Sequence, residues 1–478
     1  MTDHTPSTEA NQPLPVPNAS IWQELKNAIK GTEADYTQIG LRRAIFLLAI
    51  PMILELVMES TFAVVDIYFV GRLGASAVAT VGLTETYMFL MYAIAMGLSM
   101  AVTAIVARRI GEKNYEDAGA SAVQAIFLAL IASAPFAIAG IIFPKELLGL
   151  MGADTWAINE GYRFTQWMMG GNAVIMLLFI INAIFRGAGD AAIAMRMLWI
   201  ANIINIILDP ILIFGWGPIP AMGIEGAAIA TNIGRGTGVA FQLWVLFRGS
   251  KHIRAKMSQL YWDARIMLNI FKTSLGGVGQ NIVAMTSWIF LMRILADVGS
   301  EAVAGSTIAI RIMMFTMMPA WGLSNAAATL VGQNLGAGNP ERAESSVWKI
   351  GFYNMIFLVT VSLLYFFFNT KLMQIFTQEE QVIAIGAEWL RILAYSYFVY
   401  GWWMVSVQAF NGAGDTHTPT KINLVFFWLI QIPLCYWLAI EMNWQQSGVF
   451  WGVFISETSV GLFTLWLFSR GKWKSHKV

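Results

Sequence analysis

The sequence predicts an all-α polytopic membrane protein with twelve transmembrane helices, built as two parallel six-helix repeats. Three observations carry this. Apolar stretches of 20 or more residues recur between Arg43 and Phe468, and each is long enough to cross roughly 30 Å of hydrocarbon as a helix. Hydrophobic residues make up 57% of the 478 and charged residues only 12%, with a mean hydropathy of +0.60, outside the range of a cytosolic globular domain. One shift of 225 residues lays the first half of the chain on the second, the mark of a duplicated unit.

The elements follow in order. Residues 1–35 are polar and rich in Pro, Thr and Asn, without the apolar core and cleavage site of a signal peptide, and read as a disordered cytoplasmic tail. An N-lobe at 36–247 holds spans 43–70, 76–107, 119–142, 161–185, 191–214 and 223–247. A basic linker at 248–267 leads to a C-lobe at 268–470, with spans 268–292, 302–331, 347–369, 385–410, 418–440 and 446–468, and a second cytoplasmic tail at 471–478. An even number of spans puts both termini on one side. The clusters Arg42/Arg43, Arg108/Arg109/Lys113, the linker, and Arg470 to Lys477 all fall on that side, so both termini are expected to be cytoplasmic.

The repeat is visible motif by motif. FRGAGD (185–190) returns as FNGAGD (410–415), LGASAVA (73–79) as VGSEAVA (298–304), MGLSMAVTAIV (96–106) as WGLSNAAATLV (321–331), and GEKNYEDA (111–118) as GAGNPERA (336–343). Six spans per copy is an even number, so both copies enter the membrane in the same direction. The GAGD turns lack the lysine of a phosphate loop; Asp190 and Asp415 are expected to cap the following helices.

Departures from the repeat mark where the lobes specialise. Asp66, Asn205 and Asp209 correspond to Leu291, Ile430 and Leu434, while Thr231 corresponds to Ser456. Asn202, Asn205 and Asp209 recur at i, i+3 and i+7 on one face of the fifth span. Asp66, Asp209 and Thr231 also lie at similar depths from the outer surface. A charge inside the bilayer costs at least about 2.5–3.5 kcal/mol, so Asp66, Asn205, Asp209 and Thr231 are the candidate cation site, with hard oxygens for Na⁺ or carboxylates for protons. The bland alternative is that Asp209 serves only the backbone freed by Pro210. Glu55, Glu59, Asn202 and Glu85 are accessory candidates: Glu55 and Glu59 share a helix face with Asp66, as a carboxylate ladder or as hydrogen-bonding partners of neighbouring helices. Arg311 and Glu457 have depths that would let them pair in the C-lobe.

FAVVDIYFVGRLG, RGAGD, NIILDPILIFG, GIEGAAIAT and VGQNLGAGNPERA together resemble the multidrug and toxic compound extrusion (MATE) antiporters, over nearly the whole chain beyond the tail. The resemblance implies a V-shaped two-lobe bundle that exports organic, often cationic, compounds in exchange for Na⁺ or H⁺. In the DinF-like prokaryotic branch the cation site belongs to the N-lobe, at positions matching Asp66, Asn205, Asp209 and Thr231. Another branch uses acids in the seventh and tenth spans, and this chain has none within 268–292 or 391–411.

Four scattered histidines and the single Cys435 offer no metal-ligand spacing and no internal disulfide. No nucleophile, base and orienting group converge, so no enzyme and no cofactor beyond the coupling ion are expected. A net charge of +1 gives no footprint for nucleic acid. The expected partners are small organic substrates and membrane lipid, for a monomer in a bacterial inner membrane. Two alternatives stay open: a lipid-linked oligosaccharide flippase of the same superfamily, which should show a basic cavity, and a non-transporting membrane receptor.

Overall fold

Long apolar runs separated by short turns containing Gly, Pro or Asn leave the backbone one way to satisfy its hydrogen bonds in lipid, the helix. The structure is a computed structural model and describes residues 20–32, 34–250 and 252–476. Among these residues the regular structure is helical, apart from an isolated antiparallel bridge between Trp216 and Ile219.

A short helix α1 (Ile21–Lys30) precedes the bundle. The first six-helix unit comprises α2 (Leu41–Gly71), α3 (Ala75–Gly111), α4 (Tyr115–Ile142), α6 (Ala157–Ala188), α7 (Ala191–Phe214) and α8 (Ile224–Arg248), with the short α5 (Pro144–Leu150) in a connection. The second comprises α9 (Ala264–Val298), α10 (Ser300–Gly336), α11 (Pro340–Gln374), α12 (Glu380–Ala413), α13 (His417–Glu441) and α14 (Gln445–Ser469). Eleven of these twelve are long and apolar enough to cross a membrane. The twelfth, α8, carries Glu225, Arg235 and Arg248, and holds its place as the sixth member of the first repeat.

The 225-residue shift survives in three dimensions. It carries α3 onto α10 end for end, the start of α4 onto the start of α11, and the end of α6 onto the end of α12. Gly189 (φ 91°) and Gly414 (φ 89°) terminate those last two helices in the same left-handed conformation, which a residue without Cβ adopts at little cost.

Three expectations need correction. Residues 1–19 of the tail lie outside the described residues, but the rest does not run as disordered chain. Ser20 caps α1 by accepting from Gln23 N at 3.3 Å, Ala28 is buried, and Glu24 pairs with Arg43 of α2 at 3.2 Å. The helix buries so little apolar surface that its sequence reads as polar tail. Asp415 does cap α13, accepting from Thr418 N at 3.2 Å and Thr418 Oγ1 at 2.7 Å. Asp190 makes no such cap; its carboxylate takes Ser250 Oγ and His252 Nδ1 (2.6 Å) of the linker instead. The linker itself is shorter than expected, because Asp263 starts α9 by accepting from Arg265 N and Ile266 N.

Each unit has its own apolar core, and a third, at the end carrying both termini, draws on both: Leu48 and Met52 of α2 with Leu330 of α10, Phe410 of α12 and Trp473. From that end to mid-span the lobes meet along α2/α10, α3/α9 and α3/α10. Backbone packs on backbone there, so that a Cβ on Gly111 would strike the Gln333 carbonyl and one on Gly97 would strike Val278. Polar contacts bind the same end: Arg342 donates to the carbonyls of Tyr36 and Ile39, Gln333 Nε2 to that of Gly187 (3.0 Å), and Arg108 to that of His476. The last interlobe hydrogen bond away from the termini is Ser60 to Met318; beyond it, none joins the lobes among the described residues.

Candidate cation site

Inside the first lobe, α2, α6, α7 and α8 turn polar side chains toward one another. On α7, Asn202, Asn205 and Asp209 are all buried, Asp209 completely. Their spacing puts them on one face, and Gly234 of α8 is what lets that face be approached: a Cβ there would stand 2.9 Å from that of Asn205. Across this contact Asn205 Nδ2 donates to Thr231 Oγ1 at 3.0 Å. One turn further along α7, both carboxylate oxygens of Asp209 are buried without a partner, as is Asn205 Oδ1. Asp66 on α2 is half-buried and within electrostatic range of Asp209.

Buried acceptors without donors are rare in folded proteins and ask for an explanation. Two carboxylates, an amide oxygen and a hydroxyl are the donor set a hard monovalent cation or a proton would satisfy. Among the described residues no three His, Cys, Asp or Glu side chains gather for a metal ion, so a cation held here draws on the amide and hydroxyl oxygens too.

The accessory candidates divide. Glu59 receives Arg235 at 2.8 Å on one oxygen and Asn202 Nδ2 at 3.1 Å on the other. Glu55 receives Arg186 at 3.0 Å and Asn182 Nδ2 at 3.2 Å on one oxygen, and Gln242 donates in turn to Asn182 at 2.5 Å. Glu85 on α3 is exposed and within electrostatic range of Asp66. The α2 carboxylates nearer the termini are therefore ion-paired, whereas Asp66 and Asp209 have no basic partner within salt-bridge distance among the described residues. Sequence reasoning missed the roles of Arg186 and Arg235. The signal was present: Arg235 lies four residues from Thr231 on the same helix face, and an arginine inside an apolar span requires a partner. In the C-lobe, Arg311 is exposed and Glu457 buried, and the expected pairing of the two is not formed.

A duplicated twelve-helix bundle with an uncompensated polar site inside one lobe is the architecture of a membrane transporter. The MatE family model matches residues 51–211 and 277–437, one segment in each repeat and together more than half the chain. The chain belongs to the MatE family, the multidrug and toxic compound efflux transporters, and is a transporter rather than an enzyme. It is 28% identical over 446 residues to a probable multidrug resistance protein NorM of Thermotoga maritima, covering 92% of this chain and 94% of that one. To an FAD transporter of Shewanella oneidensis it is 26% identical, covering 82% and 87%. Its fold is that of a solved outward-facing multidrug resistance MATE transporter of the MOP superfamily, with a TM-score of 0.85 at 23% identity over 94% of this chain and 99% of that one.

Proposed function

We propose that this protein exports organic, often cationic, compounds in exchange for Na⁺ or H⁺ entering through a site made of Asp66, Asn205, Asp209 and Thr231. The observation that carries the reading is Asp209: a fully buried side chain with both oxygens unpartnered, beside the Asn205–Thr231 pair. Like charges at Asp66 and Asp209 in a poorly solvated place repel, and a bound cation or proton relieves that repulsion. An organic cation arriving on one side of the membrane favours the ion-free lobe, and entry of Na⁺ or H⁺ from the other side favours release. Both ions compete for the one site.

In this reading the end carrying the termini is cytoplasmic, and the interlobe packing there, with no hydrogen bond between the lobes beyond Ser60 and Met318 among the described residues, supports an outward-facing member of an alternating-access pair. The membrane is the bacterial inner membrane. The flippase alternative loses ground, because Arg186 and Arg235 in the first lobe are each taken up by a carboxylate.

The test is Na⁺ binding to purified protein at several pH values. Affinity weakens as pH falls, and Asp209→Asn abolishes it. A wild type that binds no Na⁺ at alkaline pH yet exports under a proton gradient leaves H⁺ as the only coupling ion; Asp209→Asn protein that still couples export to either ion defeats the site assignment.

A further inference from the structure

The N-lobe carries a permanent cation of its own. Arg235 is 6% exposed, and a guanidinium stays charged at any physiological pH. Its NH2 holds Glu59 at 2.8 Å, yet its Nε is buried without an acceptor, so the fork is only partly used. The Cζ lies over the Phe62 ring, 5.5 Å from the centroid. Phe62 is three residues beyond Glu59 and four short of Asp66 on the same face of α2, so the guanidinium lies beside the stretch of α2 that joins the two carboxylates, and it acts electrostatically on Asp66. Glu59 does not depend on the arginine alone, because Asn202 Nδ2 occupies its other oxygen at 3.1 Å. The second lobe shows that the fold does not require this network. At the positions 225 residues on, Ala284, Val460 and Phe427 stand where Glu59, Arg235 and Asn202 do, packed in one apolar cluster.

Building on the assignment of Asp66 and Asp209 as the coupling site, we propose that Arg235 is a tethered counter-cation: it holds Glu59 while the coupling ion is on Asp66 and Asp209, and pivots onto Asp66 when that ion leaves. Asp66 and Asp209, the carboxylates of the coupling site, are then not bare together, and Glu59, whose side chain is 35% exposed and keeps Asn202 Nδ2, gives up the cation where an uncompensated charge costs less than in the interior; the arginine lowers the affinity for the ion enough to let it go. A cation that can be displaced but not released sets the ion's affinity without being transported.

The experiment uses proteoliposomes holding the full chain and ethidium as the fluorescent organic cation. The reading is the external Na⁺ concentration at fixed pH, and the proton concentration without Na⁺, giving half-maximal export. Glu59→Gln frees the arginine to sit on Asp66 and raises that concentration by about ten-fold or more. Glu59→Gln combined with Arg235→Gln removes the competitor and lowers it below the wild-type value by about as much. A merely structural pair moves both variants the same way or leaves both within about two-fold of wild type; either result, or the reverse order, overturns the proposal. Should Glu59→Gln not fold, the double variant, which removes both charges of the pair together, decides alone: unchanged or weakened ion affinity overturns it. Asp209→Asn is the control for the underlying assignment. If that variant keeps its ion dependence, the site itself is misplaced, whatever Arg235 does.

Discussion

The two lobes share a backbone plan and differ in what they put at its centre. Where the first lobe joins Glu55 to Arg186, the second joins Gln280 to Asn411, Nε2 donating to Oδ1 at 2.9 Å, at positions 225 residues on. Where the first lobe sets Glu59, Arg235 and Asn202 in one network, the second packs Ala284, Val460 and Phe427. Asp209 faces Leu434 across the repeat, and Asp66 faces Leu291. The same helices therefore assemble around neutral amides and hydrocarbon as readily as around ions. Replacing a buried ion pair by well-packed apolar groups is often neutral or stabilising, so the shared backbone plan does not by itself require the charges of the first lobe.

The largest effect should come from exchanging chemistry at one repeat position. Asp209→Asn or Asp66→Asn reduces ion-coupled export to the level of vesicles without protein, while expression and insertion stay normal. Leu434→Asn, at the matching place in the other lobe, costs about 1–3 kcal/mol of stability by burying an unpaired amide and leaves export per folded molecule unchanged. Full drug resistance from cells expressing either aspartate variant would break the comparison.

Nearly as large is the effect of joining the lobes where they already meet. Cysteines at Glu112 and Ala337, beside the Gly111 and Gly336 contacts and in a Cys435→Ala background, stop export when crosslinked if the lobes rock apart at this end. Reduction restores it. Undiminished export with crosslinking complete would mean that the lobes do not separate here.

A smaller contrast separates the ionic pair from its neutral counterpart. Arg186→Gln leaves Glu55 buried without its cation and costs about 3–5 kcal/mol, most of it recovered by adding Glu55→Gln. Asn411→Ala costs about 1 kcal/mol, because Gln280 keeps the Thr416 carbonyl at 2.9 Å. Thermal unfolding in detergent ranks the three variants, and equal losses for Arg186→Gln and Asn411→Ala would show that the Glu55 charge is already screened.

The smallest difference is between the GAGD turns and is read through pH. Burial by itself lowers the pKa of His252, but the hydrogen bond and charge of Asp190 outweigh it and raise the pKa above the ordinary 6.5. A folded-state pKa raised above the unfolded one means stabilisation fully present below about pH 6.5 and lost as pH rises through the raised value, on the order of 1 kcal/mol. His252→Ala removes this pH dependence. Asp415 has Thr418 as its partner instead, so Asp415→Ala costs about 1 kcal/mol at every pH in that window. Melting curves between pH 6 and 9 that are parallel for wild type and His252→Ala would show that the Asp190–His252 contact adds no pH-dependent stability.

By itself the sequence determined the twelve helices, their duplication and which residues of each helix lie together, because hydrophobic length, helical period and a constant shift are written in one dimension. Asn202, Asn205 and Asp209 were legible as one face for that reason, Asp66 through the loss of its chemistry at the repeat equivalent Leu291, and Thr231 through its depth in the sixth span. Only the tertiary structure decided which of the carboxylates are neutralised. Glu55 meets Arg186 across 131 residues and Glu59 meets Arg235 across 176, and the helical period says which way a side chain points from its own axis but not how two distant helices are rotated against each other. That rotation is set by the glycines at the α7–α8 crossing and by the packing of α2 on its neighbours. It leaves Asp66 and Asp209 without a basic partner and gives Glu55 and Glu59 one each, a distinction made by side-chain reach across helix interfaces, where a few ångströms separate an ion pair from a bare carboxylate.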